Sequence, residues 1–321
     1  MTPDTLRPLL PLYGLASDAT LRVLNRSENT TLLVGEGDGA LILRVHRPGY
    51  NSRAEIASEL SWLSALQGHD GLRCVAPRAD SAGGLIHSAG GHDVVAFAPI
   101  AARELDPCHD LAPRFSDLGA IAATLHTQAR TWPLPEGFTR KRWDLDTILG
   151  PQPHWGDWRA ASGLEAEGHA LLERLTSDLR RRLTGYGTGP KVFGLIHADL
   201  RLANLLADDT GLWVIDFDDC GFGWWMFDFA AAISFFETDS RVPNLAAHWM
   251  AGYRGRARLS PEDEAMLPVL VLLRRVQLTA WLASRADNDT AAQFGGTEFT
   301  IGTLTLAERF LTAGPQGYWK G

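Results

Sequence analysis

The sequence predicts an α+β chain in two lobes, a small antiparallel sheet with one helix followed by a larger, mainly helical part. Apolar and polar residues alternate in short runs between Leu21 and Val45, and the periodicity turns helical beyond Pro99. A chain of 321 residues with 45% hydrophobic content also exceeds what one core usually holds. Residues 1–98 are therefore read as the first lobe and 99–321 as the second.

The runs Leu21–Leu24, Thr31–Val34 and Ala40–Val45 are three strands, joined by the polar stretch Asn25–Thr30 and the Gly37-Asp38-Gly39 turn. After Pro48-Gly49, Ile56, Leu60, Leu63 and Leu66 share one helical face, with Glu55 and Glu59 beside it. A second hairpin follows, Leu85–His87 and Val94–Phe97, turning at Ala89-Gly90-Gly91. Beyond Pro99, Phe115, Leu118, Ile121 and Leu125 form one helical stripe, and Ala170, Leu171, Leu175, Leu179 and Leu183 another. The Trp/Pro/Gly-rich stretch from Trp132 to Gly163 reads as an ordered loop or a pair of short turns. Residues 204–216 return to strand patterning, and Glu262–Ala286 and Gly302–Ala313 read as helices.

Composition excludes several classes of function. With 38 acidic and 30 basic side chains and a net charge of −8, the chain lacks the basic surface that nucleic acid requires. Three cysteines, Cys74, Cys108 and Cys220, without CxxC spacing support neither a disulfide framework nor a thiolate zinc site, which fits a reducing cytoplasm. The ten histidines show no zinc-ligand spacing. The richest apolar stretch, Phe222–Phe236, is interrupted by Asp228, and the N-terminus has Asp4 and three prolines where a signal peptide needs an apolar helix. A cytoplasmic protein without a membrane partner is expected.

The chemistry is concentrated in Ile196-His197-Ala198-Asp199-Leu200-Arg201-Leu202-Ala203-Asn204, followed by Val214-Ile215-Asp216-Phe217-Asp218-Asp219. Apolar residues 205–207 and 212–215 flank the turn Asp208-Asp209-Thr210-Gly211 and should pair as a hairpin. Its closure places Asn204 beside Asp216, an amide oxygen and a carboxylate suited to Mg²⁺ with phosphate oxygens and water completing the shell. Asp199, five residues before Asn204, is placed to accept a proton from an incoming hydroxyl.

This pattern, His-x-Asp-x4-Asn followed by Asp-Phe-Asp-Asp, resembles the aminoglycoside phosphotransferase and choline kinase branch of the protein-kinase-like fold. Leu195-Ile196-His197-Ala198-Asp199, Val214-Ile215-Asp216-Phe217-Asp218-Asp219 and Leu43-Arg44-Val45-His46-Arg47-Pro48-Gly49-Tyr50 are most similar to its bacterial homoserine kinase type II and stress-response kinase members. The resemblance implies a two-lobed kinase-like fold with ATP in the cleft between the lobes. It implies Asp199 as catalytic base, Asn204 and Asp216 as magnesium ligands, and His197 as the histidine anchoring the loop. It also implies that Asp228 braces that loop through its backbone, and that Glu59, or Glu55 one turn away, positions a phosphate-binding cation.

Two features depart from the family pattern. The third strand normally carries a lysine, but the only lysines here are Lys141, Lys191 and Lys320, and Arg44 holds the strand position. Arginine keeps the cation with a different geometry. The loop Asn25–Thr30 contains no glycine, so Ser27, Asn29 and backbone amides would have to meet the phosphates. Asp218 and Asp219, with Glu237 and Asp239, read either as an acidic rim for a cationic substrate or as turn-solvating carboxylates. Trp155, Trp158, Trp224 and Trp225 read as a stacking platform or as core.

The expected activity is ATP- and Mg²⁺-dependent phosphoryl transfer to a hydroxyl of a small, amine-bearing molecule such as an aminoglycoside, homoserine or a similar amino alcohol. The alternatives are a kinase-like protein that binds nucleotide without chemistry, and a bacterial protein Ser/Thr kinase. No motif specifies the acceptor, the choice of ATP over GTP, or an oligomeric state.

Overall fold

The computed structural model describes residues 3–106, 110–285 and 289–319, so Cys108, Ala286 and Lys320 lie outside the described residues. The chain divides into two units, one of Met1–Arg103, Pro133–Arg140 and Trp213–Asp218, the other of Glu104–Trp132, Lys141–Leu212 and Asp219–Gly321. Two segments from later in the chain thus belong with the N-terminal hundred residues.

In the first unit, strands β1 (Leu21–Arg26), β2 (Thr30–Val34) and β3 (Leu41–Val45) precede helix α1 (Arg53–Leu66) and the hairpin β4 (Ile86–Ala89) and β5 (His92–Phe97). They form one sheet in the order β1-β2-β3-β5-β4, antiparallel throughout. The hairpin closes because Gly90 and Gly91 both take positive φ (56° and 78°), as a two-residue turn between Ala89 and its partner His92 requires. One sheet face is apolar: Leu32, Val34, Leu41, Leu43, Val45, Val94 and Ala96 pack with Leu6, Leu9 and Leu10. Those leucines belong to a 3₁₀ segment, Pro3–Tyr13, so the proline-rich N-terminus covers the sheet. Strand alternation turns Arg44, between Leu43 and Val45, to the opposite face.

The remainder of the chain contains β6 (Arg103–Glu104), α2 (Ala112–Thr131), β7 (Lys141–Trp143), α3 (Leu145–Leu149), α4 (Ala166–Tyr186), β8 (Phe193–Ile196), β9 (Leu205–Asp208), β10 (Gly211–Val214) and β11 (Gly221–Trp224). Helices α5 (Phe227–Ala232), α6 (Val242–Arg254), α7 (Pro261–Ser284), α8 (Asp289–Phe294) and α9 (Thr297–Tyr318) complete it. Two three-stranded sheets have the orders β10-β9-β6 and β7-β11-β8, with β11 parallel to β7 and antiparallel to β8. Helix α7 is long and apolar enough to cross a membrane by composition, but 89% of its apolar window is buried in the protein, against α4, α5 and α9.

Two stretches differ from expectation. Residues 132–163 hold β7, α3 and a 3₁₀ turn, because buried Trp143, Trp155 and Trp158 anchor them to the core, Trp143 stacking on Trp155 at 3.8 Å between centroids and packing against Phe227. In α4 the buried stripe is Leu172, Leu175, Leu179 and Leu183, while Ala170 is exposed. The stripe starts one residue later than Leu171 because Leu172 continues the three-and-four spacing.

Helices α2 and α6 approach closely at Gly119 and Gly252. A methyl group at Gly119 would strike the Trp249 carbonyl, and one at Gly252 the Ser116 carbonyl, both backbone atoms that cannot swing aside. Gly252→Ala and Gly119→Ala should each cost about 1–3 kcal/mol by forcing the backbones apart. Urea unfolding tests this, and variants as stable as the parent would show that the helices separate freely.

Candidate active site

In the second unit, β8 ends at Ile196 and the chain enters a loop whose backbone is fixed by one carboxylate. Asp228, in the first turn of α5 and fully buried, accepts the Ala198 amide on Oδ1 at 2.7 Å and the His197 amide on Oδ2 at 3.3 Å. Ala198 takes φ 67°, a left-handed conformation that non-glycine residues rarely hold unaided. Asp228 is fixed in turn by His126 of α2, whose Nε2 lies 2.9 Å from Oδ2 while Nδ1 lies 3.1 Å from the Tyr253 hydroxyl. Burial drives the His126 pKa down against the pull of Asp228, so the ring is neutral, donating from Nε2 and accepting the tyrosine proton on Nδ1.

Asp199 follows at once. Its amide donates to His197 Nδ1 at 3.2 Å, and Asn204 Nδ2 donates to both its carbonyl (2.9 Å) and Oδ2 (2.7 Å). Arg201 Nε reaches Oδ2 at 3.2 Å, and Arg274 of α7 reaches Oδ1 at 2.6 Å. Burial alone would raise this carboxyl, but Arg201, Arg274 and His197 outweigh it and hold Asp199 below the usual carboxylate range. The group is an anion with both oxygens aimed.

In the first unit, Arg44 Nη2 donates to both oxygens of Glu59, at 2.6 and 2.7 Å, and Nη1 lies 3.4 Å from Asp216 Oδ1. The Arg44 and Glu59 side chains are 6% and 0% exposed. Burial disfavours the guanidinium's charge, but Glu59, Asp218 and Asp216 more than compensate and keep its pKa above the ordinary value. Burial pushes the Glu59 carboxyl up while Arg44 draws it back. Glu55 is committed elsewhere. Its carboxylate accepts the Ser52 amide at 2.8 Å and its own amide meets Ser52 Oγ, a capping box at the start of α1. Asp216, at φ 60°, is a second left-handed non-glycine residue. Phe217 beside it is buried edge-on against Trp62 of α1.

The model of the phosphotransferase enzyme family matches residues 20–261. The chain belongs to that family. It resembles the solved structure of a microcompartment-associated aminopropanol kinase, with 40% identity, a TM-score of 0.88 and 96% of this chain and 97% of that chain covered. An uncharacterized protein of Deinococcus radiodurans is 31% identical over 92% of this chain and 86% of its own length. An amicoumacin kinase in complex with AMP-PNP, Ca²⁺ and amicoumacin shares the fold at 18% identity and TM-score 0.71, over 89% of this chain and 88% of that chain. The protein is a small-molecule phosphotransferase with an alcohol group as acceptor, on the two-lobed, kinase-like α+β fold.

For other residues of this phosphotransferase the structure departs from the sequence reading at Asn29 and decides between the alternatives left open for the acidic and tryptophan groups. The Asn29 amide is buried and occupied, Nδ2 donating to Asp218 Oδ2 at 2.8 Å and Oδ1 accepting the Arg47 amide at 3.1 Å, so it braces its loop where a phosphate contact was expected. Ser27 is half-buried, its amide bonded to the Asn29 carbonyl. The proposed acidic rim is taken up internally. Asp218 is buried and accepts from Asn29 and Asn51, Asp219 pairs with Lys141, Glu237 is buried on Arg275, and Asp239 pairs with Arg241. Trp155, Trp158, Trp224 and Trp225 are all core. Sequence reasoning missed His126, Arg274 and Asn51, although a histidine on an apolar stripe and paired arginines inside an apolar helix both signal buried partners.

Two outcomes follow from these contacts. Glu59→Gln removes the bidentate carboxylate from the buried Arg44 and leaves Asp216, at 3.4 Å, as its remaining ion-pair contact, which should cost about 3–5 kcal/mol in urea unfolding, whereas Arg44→Met with Glu59→Leu should recover most of it. A loss below about 1 kcal/mol for the single variant would mean that the guanidinium reaches water. Because His126 is neutral when folded, the unfolded chain binds an extra proton below its own histidine pKa of about 6.5. Stability should therefore fall as pH drops below about 6.5, and His126→Gln should flatten that slope. An unchanged slope between the two proteins would assign the proton uptake elsewhere.

Proposed function

We propose that the chain is an ATP- and Mg²⁺-dependent kinase of a short amino alcohol, with aminopropanol the first acceptor to try. The observation that carries the reading is the 40% identity to the aminopropanol kinase over 96% of the chain. Asp199 is the base, Asn204 and Asp216 are the protein's oxygen ligands for the ion, and Arg44, oriented by Glu59, is the cation for the nucleotide phosphates. His197 and Asp228 support the loop. Ser27 and the backbone amides of its loop meet the phosphates, with Asn29 holding that loop in shape. The nucleotide belongs to the N-terminal lobe, residues 1–98, and the acceptor to residues 99–321. A reducing cytoplasm suits a chain whose described cysteines, Cys74 and Cys220, are buried and form no disulfide with each other.

The donor chemistry fits a hard divalent ion. Asn204 spends its NH₂ on Asp199, which turns its amide oxygen the other way, and the Asp216 side chain is 42% exposed. Among the described residues no group of three or more His, Cys, Asp or Glu could hold a metal, so an ion on these two oxygens takes its remaining ligands from nucleotide and water. When bound, the ion neutralises charge on the transferring phosphoryl group.

The acceptor hydroxyl oxygen forms the new bond to the γ-phosphorus as the bond to the β–γ bridging oxygen breaks and ADP leaves. Asp199 takes the hydroxyl proton. A carboxyl held below its usual range is a weak base, so its main service is to orient the hydroxyl and accept the proton late, when the oxygen has become acidic.

ADP release with Mg²⁺-ATP and a panel of aminopropanol, ethanolamine, homoserine and an aminoglycoside tests the substrate class. Turnover confined to homoserine or the aminoglycoside would overturn it. Asp199→Asn should fold, bind nucleotide and lose about 10²- to 10⁴-fold in turnover. A folded variant with more than half the parent turnover would remove Asp199 from the chemistry.

A further inference from the structure

Helix α7 is a buried apolar element, yet it carries Arg274 at 4% exposure. A charge in such a place is costly unless it is paired and hydrogen-bonded. Its partner is Asp199, 75 residues away, through a 2.6 Å bond from Nη2 to Oδ1. The other bonds to the Asp199 carboxylate come from Arg201 and Asn204, on the same loop, and move with it. Among the described residues Arg274 is thus the one group from outside the loop that holds this carboxylate.

The guanidinium is itself held on several sides. Its Nε donates to Ser234 Oγ, just beyond α5, at 3.2 Å. Its Cζ lies 5.6 Å from the Trp143 ring centroid and 5.8 Å from that of Phe227, and Trp143 is backed by the Trp155 stack. Elements β7, α5 and α7 therefore converge on one planar cation, and that cation aims one oxygen of Asp199. Asp228 fixes where the loop backbone runs; it does not set the torsions of the Asp199 side chain.

We propose that Arg274 is a positioning residue for Asp199, fixing the carboxylate plane so that the acceptor hydroxyl meets it in one orientation. The inference rests on the reading of Asp199 as the base. It assigns to α7, in the part of the chain where no motif was legible, the second half of the machinery that preorganises the reacting centre.

The test is a double-mutant cycle with full kinetics on folded proteins. Arg274→Met keeps the side chain's length over Trp143 and Phe227 while deleting the charged hydrogen bonds, and should lower kcat about 10- to 100-fold with the nucleotide KM changed less than about twofold. Arg274→Lys should recover only part, since a point charge cannot serve Ser234 and Asp199 in one plane. It also serves as the folded variant if methionine does not fold, and a lysine enzyme with parent kcat would overturn the proposal. In the Asp199→Asn background Arg274→Met should cost nothing further, because a residue acting only through Asp199 has nothing left to position. A further loss there would mean that Arg274 touches substrate, and would overturn the positioning role. If Asp199→Asn is inactive and Arg274→Met turns over like the parent, this inference alone fails. An active Asp199→Asn removes the reading of the base as well.

Discussion

The Asp199 loop depends on one buried carboxylate, that of Asp228. A left-handed alanine costs roughly 1–2 kcal/mol relative to ordinary backbone, and Ala198 adopts it one residue before Asp199. Two backbone amides donating to an anion are each worth roughly 1.5–3 kcal/mol, enough to offset that conformation. The anion is bearable inside the protein because His126 donates to it, and His126 is bearable because Tyr253 donates to the other ring nitrogen. Removing any member takes a hydrogen bond from the next buried polar group, so the contacts from α6 through α2 to α5 are coupled. The close packing of α2 on α6 at Gly119 and Gly252 sets the distance between His126 and Tyr253, linking helix packing to loop geometry.

A parallel device operates in the first unit on Asp216, Phe217 and Asp218, three consecutive residues with three separate roles. Asp216 sits in the left-handed region near Arg44, Phe217 fills a place against Trp62, and Asp218 accepts the side-chain amides of Asn29 and Asn51. Arg140 closes the arrangement by donating to the carbonyls of Asp218 and Glu55. The loop between β1 and β2 has no glycine to bring its backbone near a ligand, and Asn29 supplies fixity instead, tied to Asp218 on one side and to the Arg47 amide on the other. A glycine loop leaves its shape open; the contacts of Asn29 fix this one in advance.

Strands were legible because alternation with one buried face is a strong signal, and the Asp199 and Asn204 offsets were legible because they lie within nine residues of β8. Residues whose partners are remote in sequence were not. Arg274 meets Asp199 across 75 positions, and His126 meets Asp228 across 102. The ambiguity between Glu55 and Glu59 had a local solution, since Ser52-Arg53-Ala54-Glu55 is a capping-box pattern that commits Glu55 to the helix start and leaves Glu59 for the cation. The N-terminal 3₁₀ segment was hidden by its prolines, which speak against an α-helix and say nothing about covering a sheet.

The arginine on β3 is part of a pattern that runs through the chain. Three of the 30 basic side chains are lysines, which leaves 27 arginines, and the pairs Arg44–Glu59, Arg274–Asp199 and Arg275–Glu237 are made by arginine, with Lys141–Asp219 the buried lysine pair beside them. Burial strips a lysine of its charge more easily than an arginine, whose proton is held far above neutral pH. On β3 the choice has a geometric consequence. Arg44 gives one nitrogen to both oxygens of Glu59 and turns another toward Asp216, so one rigid plane lies between two carboxylates belonging to different elements. A lysine ammonium is a single point on a flexible stem and would have to favour one acid over the other. The guanidinium therefore links the α1 glutamate to the aspartate after β10, and the loss of the family's lysine is matched by a cation that ties these elements together.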